Sequence, residues 1–539
     1  MPAQSHNPAQ PHSSAQSQSS ARSHDDELSP RLRAIADLMP GGMREGAGMH
    51  EYDGRAADLS PKGVSAALAK LGGQPLADPH DEAHLSAFEN ALRYELGELQ
   101  WHRANPLYHA GEMDLSGYDR EYAPEAERDA ARTAHLRLWP SLADNATAAL
   151  DCLSAPIAQS LLGAVRGLAE GIPDSVPEDV RREALAAHAR LLDHVEHAAE
   201  HGPDSAALGT EALSRLMGTG EAMEVDLDAL AARADAERDR LRAKLAEATE
   251  RLAPGRDPME FSRELTRQHP DTDGVLGAAR TWTRIALDFT EERGLAPYGD
   301  GECRVDVPPP ALRWATAMMA WSGPWEQDNP SFYYITPPDS ELSETEAAEW
   351  LEQFSHTTLP AVSVHEVAPG HFSHGRALRR APSEVRRALH SMTFAEGWAH
   401  YAEEMCLEEG FGAYAAERLG DPDWTADHFE IGVWLEALIR VTRLSVAIGM
   451  HTGTMTVEEA AARFSEDTPL QGPAALSEAR RATFDPTYGR YTWGKLEIMA
   501  LRERAREQWG SEFSLPRFHR ALLELGSPPL GLIPAALDT

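Results

Sequence analysis

The amino-acid sequence predicts a mainly α-helical protein with one small β-sheet. Apolar residues recur near the 3.6-residue period of an α-helix from Leu28 to about Pro254. Two short β-prone segments then occur between Gly301 and Pro338, and helical periodicity returns after them. Helices should therefore build most of the fold, and the sheet should be confined to one stretch.

The domain organisation follows from what the chain lacks. Residues 1–25 are rich in Ser, Gln, Ala, Pro and His, without the basic and apolar regions of a secretory signal, so we expect a disordered tail. Residues 26–539 contain no Ser/Pro/Gly-rich linker and no repeat period of about 20–50 residues. We expect a single large domain, with a helical half at 26–300 and a metal-site half at 301–539.

Charge and cysteine content exclude several classes of partner. The formal net charge of -36 argues against nucleic acid and anionic membranes, because both are recognised by clustered Lys and Arg. The acidity can equally serve solubility, so it selects no substrate.

Cys152, Cys303 and Cys406 form no CxxC pair, which predicts reduced thiols and a cytoplasmic location. Charged residues interrupt every apolar run before it reaches the roughly 18 residues that a membrane span needs. We therefore expect a soluble protein.

Two local sequence patterns predict where a sheet and a helix occur. Cys303–Val307 and Ser331–Thr336 are β-prone and bordered by prolines, which predicts a small sheet or hairpin. Ser343 followed by Glu346 forms a capping box, so a helix should start there and continue through Phe354.

One long segment allows two interpretations. Residues 226–252 alternate acidic and basic side chains, which is compatible with a coiled-coil arm. A single amphipathic helix with one solvated face is the commoner outcome of such a pattern.

The segment HEVAPGH, residues 365–371, resembles the HExxH signature, in which two histidines on one helical face bind zinc and the glutamate activates water. Here the histidines are six residues apart, and six residues of regular helix turn a side chain by about 240°, away from His365. Pro369 removes a backbone hydrogen bond and Gly370 tolerates unusual dihedral angles, so a bulged helix can bring His371 round. The alternative is a helix that ends at Pro-Gly, with two unrelated histidines.

A second motif supplies a carboxylate. Glu396 begins the segment EGWAHYAE, 25 residues after His371, in a stretch with helical periodicity. A carboxylate from a neighbouring helix commonly completes a two-histidine site and leaves one position for water. We therefore predict one zinc-like divalent ion per chain, held by His365, His371 and Glu396, with Glu366 as general base. His400, one turn after Glu396, is a candidate to bind substrate or orient a ligand, or is merely packed.

Together with the closing segment YTWGKLEI (491–498), these motifs resemble the bacterial family called domain of unknown function 885, whose members are similar to zinc-dependent peptidases. The resemblance runs from about Gly301 to the end of the chain and includes LELGSPPL (523–530), whereas the N-terminal half agrees only in being helical. It implies a large helical fold similar to the neurolysin-like and carboxypeptidase-like gluzincins, with the ligands and base assigned above. It also implies that Tyr491 stabilises the transition state.

Three positions depart from the family pattern. The family commonly has Gln at His374, an Asp before the element that reads AIGMH (447–451) here, and a PGQ-like stretch where this chain has Asp485-Pro486-Thr487. These departures spare the ligands but raise the question of a changed substrate. His374 and His451 are candidates for substrate binding, and His374 is also an alternative metal ligand.

The combined prediction is a zinc-dependent hydrolase that cleaves a peptide or small amide, with Glu366 taking a proton from metal-activated water and Tyr491 donating to the oxyanion. Residues 331–336 can form an edge strand that pairs with an extended peptide, with Tyr334 among its contacts, or can simply be part of the fold. Two other functions stay open: a metal-dependent lyase or hydrolase of a small specialised metabolite, and a non-catalytic helical binding protein. The presence of Glu366 argues against the non-catalytic binding protein, since a structural zinc site needs no free carboxylate.

Overall fold

The computed structural model of the protein describes residues 28–309, 312–313, 315–327, 329–339 and 342–537. α-Helices dominate these residues, and one three-stranded sheet lies among them, so the predicted fold class is confirmed. The tail predicted at residues 1–25 lies outside the described residues. The assignment of residues 26–539 to one domain stays a prediction.

Four of the α-helices in the first half begin at a Ser-Pro or Asp-Pro pair. The serine or aspartate side chain accepts a hydrogen bond from a backbone N–H of the first turn, as at Ser29, Ser60, Asp78 and Asp257, and the proline fits the first helical position. The α-helices before the sheet are α1 (Pro30–Ala36), α2 (Gly41–Ala47), α3 (Pro61–Leu68), α4 (Pro79–Leu92), α5 (Leu107–Gly111), α6 (Glu125–Leu136), α7 (Trp139–Ala149), α8 (Ala155–Gly167), α9 (Glu178–His201), α10 (Thr210–Thr219), α11 (Leu227–Leu252), α12 (Pro258–Thr266) and α13 (Val275–Arg293).

The sheet separates the two helical halves of the chain. It consists of β1 (Cys303–Asp306), β2 (Ala317–Ala320) and β3 (Ser331–Ile335), in the order β1-β3-β2. β3 pairs parallel with β1 and antiparallel with β2. Of the two interpretations of residues 331–336, the edge strand is wrong and the strand that is part of the fold is right, because β3 is central and hydrogen-bonded on both sides. β2 was not predicted, since its sequence Ala-Met-Met-Ala lacks the β-branched and aromatic residues that favour strands.

The helices after the sheet form the second half. The capping box of Ser343 and Glu346 is confirmed at the start of α14, although Phe354 lies in a following 3-10 turn. These helices are α14 (Glu344–Leu351), α15 (Thr358–Glu366), α16 (His371–Leu378), α17 (Glu384–Ala388), α18 (Met392–Glu408), α19 (Phe411–Leu419), α20 (Ala426–His451), α21 (Val457–Asp467), α22 (Gly472–Phe484), α23 (Arg490–Trp509), α24 (Leu515–Leu523) and α25 (Ile533–Leu537).

Two hydrophobic cores carry most of the packing. The first lies among α7, α8 and α9 and contains Leu161 and Leu191. The second surrounds α15, α18 and α20, and α11 packs along α20 with Leu241 and Leu245 buried between them. α11 is thus one amphipathic helix packed on the domain and not a coiled-coil arm.

The described residues contain no helix that combines the length and the apolar character needed to cross a membrane. Cys152, Cys303 and Cys406 are all free thiols, as the sequence predicted.

Candidate metal centre

The HEVAPGH segment forms a sharp turn between two helices. α15 ends at Glu366 and α16 begins at His371, so the expectation of one bulged helix is wrong. Gly370 is needed here for close packing: its φ is -69°, but a Cβ atom would lie 1.8 Å from the carbonyl oxygen of His365. The indole Nε1 of Trp398 on α18 donates to the carbonyl of Pro369 at 2.9 Å and fixes the turn.

The turn, together with α18, brings the three predicted ligands to one point. His365 is at the end of α15, His371 at the start of α16, and Glu396 on α18. Glu396 Oε2 lies 3.5 Å from His365 Nε2 and 3.3 Å from His371 Nε2. One ligand atom from each residue lies within 4.8 Å of the others, the only such group of three in the described part of the chain. The first helix thus ends before the Pro-Gly pair, and the two histidines converge.

A buried carboxylate orients His365. Its Nδ1 donates to Glu403 Oε1 at 2.6 Å, which directs Nε2 toward Glu396 and His371. Glu403 is 0% exposed and accepts a second bond, at 3.1 Å, from Arg440 on α20. Burial raises the pKa of Glu403, but Arg440 and the neighbouring histidines outweigh it and hold this pKa well below its usual range. The arrangement has the form of a carboxylate-histidine-metal triad.

The donor set fits a divalent cation. Burial and Arg440 lower the pKa of His365, yet the adjacent carboxylates Glu396 and Glu403 raise it to about 9. Burial likewise raises the pKa of Glu396, but the two histidines lower it well below its usual range. Glu396 Oε2 nevertheless has no hydrogen bond within the described residues. The centre of the group therefore favours positive charge, and two imidazoles with one carboxylate are a zinc-type ligand set.

Glu366 is the last residue of α15, directly after His365, and is 9% exposed. Its carboxylate accepts no hydrogen bond that the described residues provide. The side chain is thus next in sequence to a candidate ligand and is not tied up by a neighbouring donor.

Tyr491 reaches this centre through a close contact between α18 and α23. A Cβ atom on Gly397 would lie 2.5 Å from the Cα of Gly494, so two glycines allow the helices to touch. This contact places the Tyr491 ring 6.4 Å from the His365 ring, measured between centroids. Tyr491 is partly exposed.

His374 and His400 lie beside the centre but outside the ligand group. The Nε2 of His374 donates to the carbonyl of Gly526 at 3.1 Å, and burial lowers its pKa to about 3. His400 lies behind Glu403, with 3.6 Å between Nδ1 and Oε2, and burial lowers its pKa to about 4. Both are neutral buried side chains, and neither takes the place of a ligand.

Tyr334 and His451 are directed elsewhere. Tyr333 points toward α15, where its hydroxyl is 3.3 Å from Ser363 Oγ. Side chains alternate along a strand, so Tyr334 occupies the opposite face of the sheet, where Arg120 is a charged neighbour. The Nε2 of His451 donates to the carbonyl of Ala482 at 2.7 Å. The structure brings neither residue into the ligand group.

Sequence reasoning missed the residues that support the centre. Glu403 was part of the quoted motif EGWAHYAE and follows Glu396 by seven residues, two helical turns along the same face. That spacing was a usable signal. No sequence pattern pointed to Arg440 or Trp321, because α20 and the residue after β2 approach the site only in the tertiary structure. The Trp321 ring lies 6.2 Å from the ring of His371.

Solved structures share this fold. One, described as a "putative lipoprotein of unknown function" from Shewanella oneidensis, aligns with a TM-score of 0.73 and 20% identity over 94% of this chain and 99% of its own. A second, described as a "putative lipoprotein" from Colwellia psychrerythraea, aligns with a TM-score of 0.74 and 16% identity over 94% and 97%. At these identities the likeness concerns the fold alone.

No curated protein is significantly similar to this chain in sequence. A family model described as "Bacterial protein of unknown function (DUF885)" matches residues 43–537. The match covers both helical halves, whereas the resemblance in the sequence motifs was limited to the second. The chain therefore belongs to the DUF885 family of bacterial proteins.

Proposed function

We propose that the protein is a metal-dependent hydrolase that cleaves a peptide or small amide bond. The observation that carries this proposal is the convergence of His365, His371 and Glu396 beside the unpaired carboxylate of Glu366. A structural metal site would use a fourth protein ligand, whereas a three-ligand site with a neighbouring carboxylate suits catalysis.

A zinc-like ion held by these three residues would supply a Lewis acid that lowers the pKa of water and polarises a carbonyl. Glu366 accepts the proton of the attacking water and passes it to the leaving amine. Tyr491 donates a hydrogen bond to the oxygen on which negative charge develops. One water is consumed, the amide C–N bond breaks, and a carboxylic acid and an amine are formed.

The supporting residues keep this geometry in place. Glu403 holds His365 in one tautomer, Arg440 holds Glu403, and Trp398 fixes the turn that carries His371. Such preorganisation matters because a small displacement of a reacting group greatly slows the reaction. The compartment in which the reaction takes place, predicted as the cytoplasm, remains part of the proposal.

The test is a mass-spectrometric screen of the zinc-loaded protein against a peptide mixture and against metabolites of the host. We expect new amine and acid products from peptides, abolished by a chelator and restored by added zinc. The Glu366→Gln variant is the matched control, since it keeps all three ligands. Products from metabolites alone would favour the metabolite-directed enzyme, and no zinc-dependent product from either mixture would contradict the proposal.

A further inference from the structure

Arginine side chains gather around Tyr491. The guanidinium carbon of Arg443, on α20, lies 5.2 Å from the centroid of the Tyr491 ring, within the range of a cation–π contact. Arg481, on α22, faces the same phenol. Burial lowers the pKa of Arg481, but the adjacent Tyr491, Asp485 and Glu478 outweigh it and raise this pKa. Two guanidinium groups thus flank the side chain that reaches the metal centre.

The cluster contains more guanidinium groups than carboxylates. Arg443 donates through Nε and Nη2 to Glu478, at 2.8 and 2.7 Å, and its Nη1 has no hydrogen-bond partner among the described residues. Asp485 is shared: it accepts from Arg490 at 2.9 and 2.7 Å and from Arg481 at 3.4 and 3.2 Å. Three arginines are therefore matched by two carboxylates.

Arg440, Glu403 and Glu436 are the nearest further charged groups, and with them four arginines face four carboxylates. Arg440 is paired with Glu403 at 3.1 Å and with Glu436 at 3.3 Å, and Glu403 also serves His365. These pairs leave Arg443 Nη1 without a hydrogen-bond partner among the described residues, and Arg481 bonds the shared Asp485 only at 3.4 and 3.2 Å. Guanidinium donors of this kind beside Tyr491 favour an anionic ligand.

The cluster is accessible and close to the metal centre. The side chains of Arg481 and Arg443 are 29% and 15% exposed. The centroids of the His365 and Tyr491 rings are 6.4 Å apart, and one extended residue spans about 3.5 Å. The Arg443 guanidinium carbon is 5.2 Å from the same Tyr491 centroid, so it lies within about three extended residues of the His365 ring.

We propose that Arg443 and Arg481 form a subsite for the free carboxylate of the substrate. Arginine suits this ligand because its planar donors match the two oxygens of a carboxylate. The bond cleaved would then be the last amide of a peptide, or the amide of an N-acylated amino acid. This inference rests on the proposed hydrolase function and specifies its substrate class.

The test separates binding from cleavage. A random N-acetylated tripeptide mixture is made as free acids and as carboxamides, and each is passed over immobilised, zinc-loaded Glu366→Gln protein. We expect free acids to be retained about tenfold more than carboxamides, the effect of one charge-assisted hydrogen bond. In Arg481→Met, combined with Glu366→Gln, this preference should fall to near unity.

Two controls protect the result from a folding defect. Arg418→Met removes an arginine of α19 that pairs with Glu292 away from the site, and it should keep the preference. Arg443→Gln is the second subsite variant, and melting temperatures are measured for all proteins. The carboxylate subsite would be overturned if the Glu366→Gln protein retained acids and carboxamides equally, or retained neither. It would also be overturned if both subsite variants kept the full preference for acids.

Cleavage by the wild-type protein is scored separately on the same mixtures. Acids that are retained but never cleaved would support the subsite and contradict the hydrolase function. Cleavage of acids and carboxamides at equal rates would support the hydrolase function and contradict the subsite.

Discussion

The core among α7, α8 and α9 differs sharply from the packing of α15, α18, α20 and α23. α9 buries mainly alanine, valine and leucine, and its buried histidine, His188, donates to the backbone carbonyl of Val165. α18 buries Glu403 and His400 and half-buries Glu396 among the apolar residues of the same helix.

This difference has an energetic meaning. Buried ion pairs are often no more stabilising than apolar residues of the same size, because desolvation opposes their attraction. A charged network is therefore a poor choice for stability alone, and the first core shows that this fold also packs without one. We infer that the charges of the second region are retained to hold and support the candidate metal centre.

The largest effect should come from Glu366. The Glu366→Gln change preserves shape but cannot accept a proton, so turnover of any substrate found by the screen should fall by about a hundred- to ten-thousand-fold. Metal content and melting temperature should stay those of the wild type. Glu349→Gln, on the exposed side of α14, is the control and should remain fully active. Near-normal turnover of Glu366→Gln would remove this residue as the base.

Tyr491→Phe should have the next largest effect. Loss of an oxyanion donor should lower kcat by roughly ten- to a thousand-fold, with little change in KM or stability. If the hydroxyl instead serves only the packing of α23, the change should cost about 1 kcal/mol of stability and leave kcat alone. Measuring kcat, KM and melting temperature together distinguishes the two roles.

The adjacent pair Glu403 and Glu404 offers a sharper comparison within α18. Glu403→Gln should weaken metal binding about ten- to a hundred-fold, because the orienting partner of His365 is lost. Glu404 pairs with Lys495 and Arg240, away from the ligands, so Glu404→Gln should lower the melting temperature and leave metal affinity unchanged. Competition with a zinc-binding dye measures both affinities. Equal losses in the two variants would show that Glu403 acts only through the stability of the fold.

The smallest effect on the centre should come from the first core. Leu191 on α9 is 0% exposed, and Leu191→Ala should lower the free energy of unfolding by about 2–5 kcal/mol. Metal content per folded chain should not change. Denaturant unfolding and metal analysis on the same sample give both values, and a matching loss of metal would show that the two regions are not separable.

The sequence predicted the helices and the grouping of His365, His371 and Glu396 better than the residues that surround this group. Ser343 with Glu346 and the periodic apolar residues are local signals, and the structure follows them. His365, His371 and Glu396 were identified because ligand type and spacing reflect metal chemistry. The sharp turn at residues 366–371 was not predicted, since proline and glycine are compatible with both a bulge and a helix end. β2, Arg440 and the arginines around Tyr491 depend on contacts between distant segments, which spacing along the chain does not reveal.

The most direct test of the central claim is the metal content of the purified full-length protein, measured by inductively coupled plasma mass spectrometry after zinc loading and desalting. We predict about one zinc-like ion per wild-type chain and loss of that ion in both His365→Ala and His371→Ala. His188→Ala, in the first core, is the matched control and should keep the ion. The proposed metal centre would be contradicted if both ligand variants kept the wild-type metal content, or if the folded wild-type protein bound no metal.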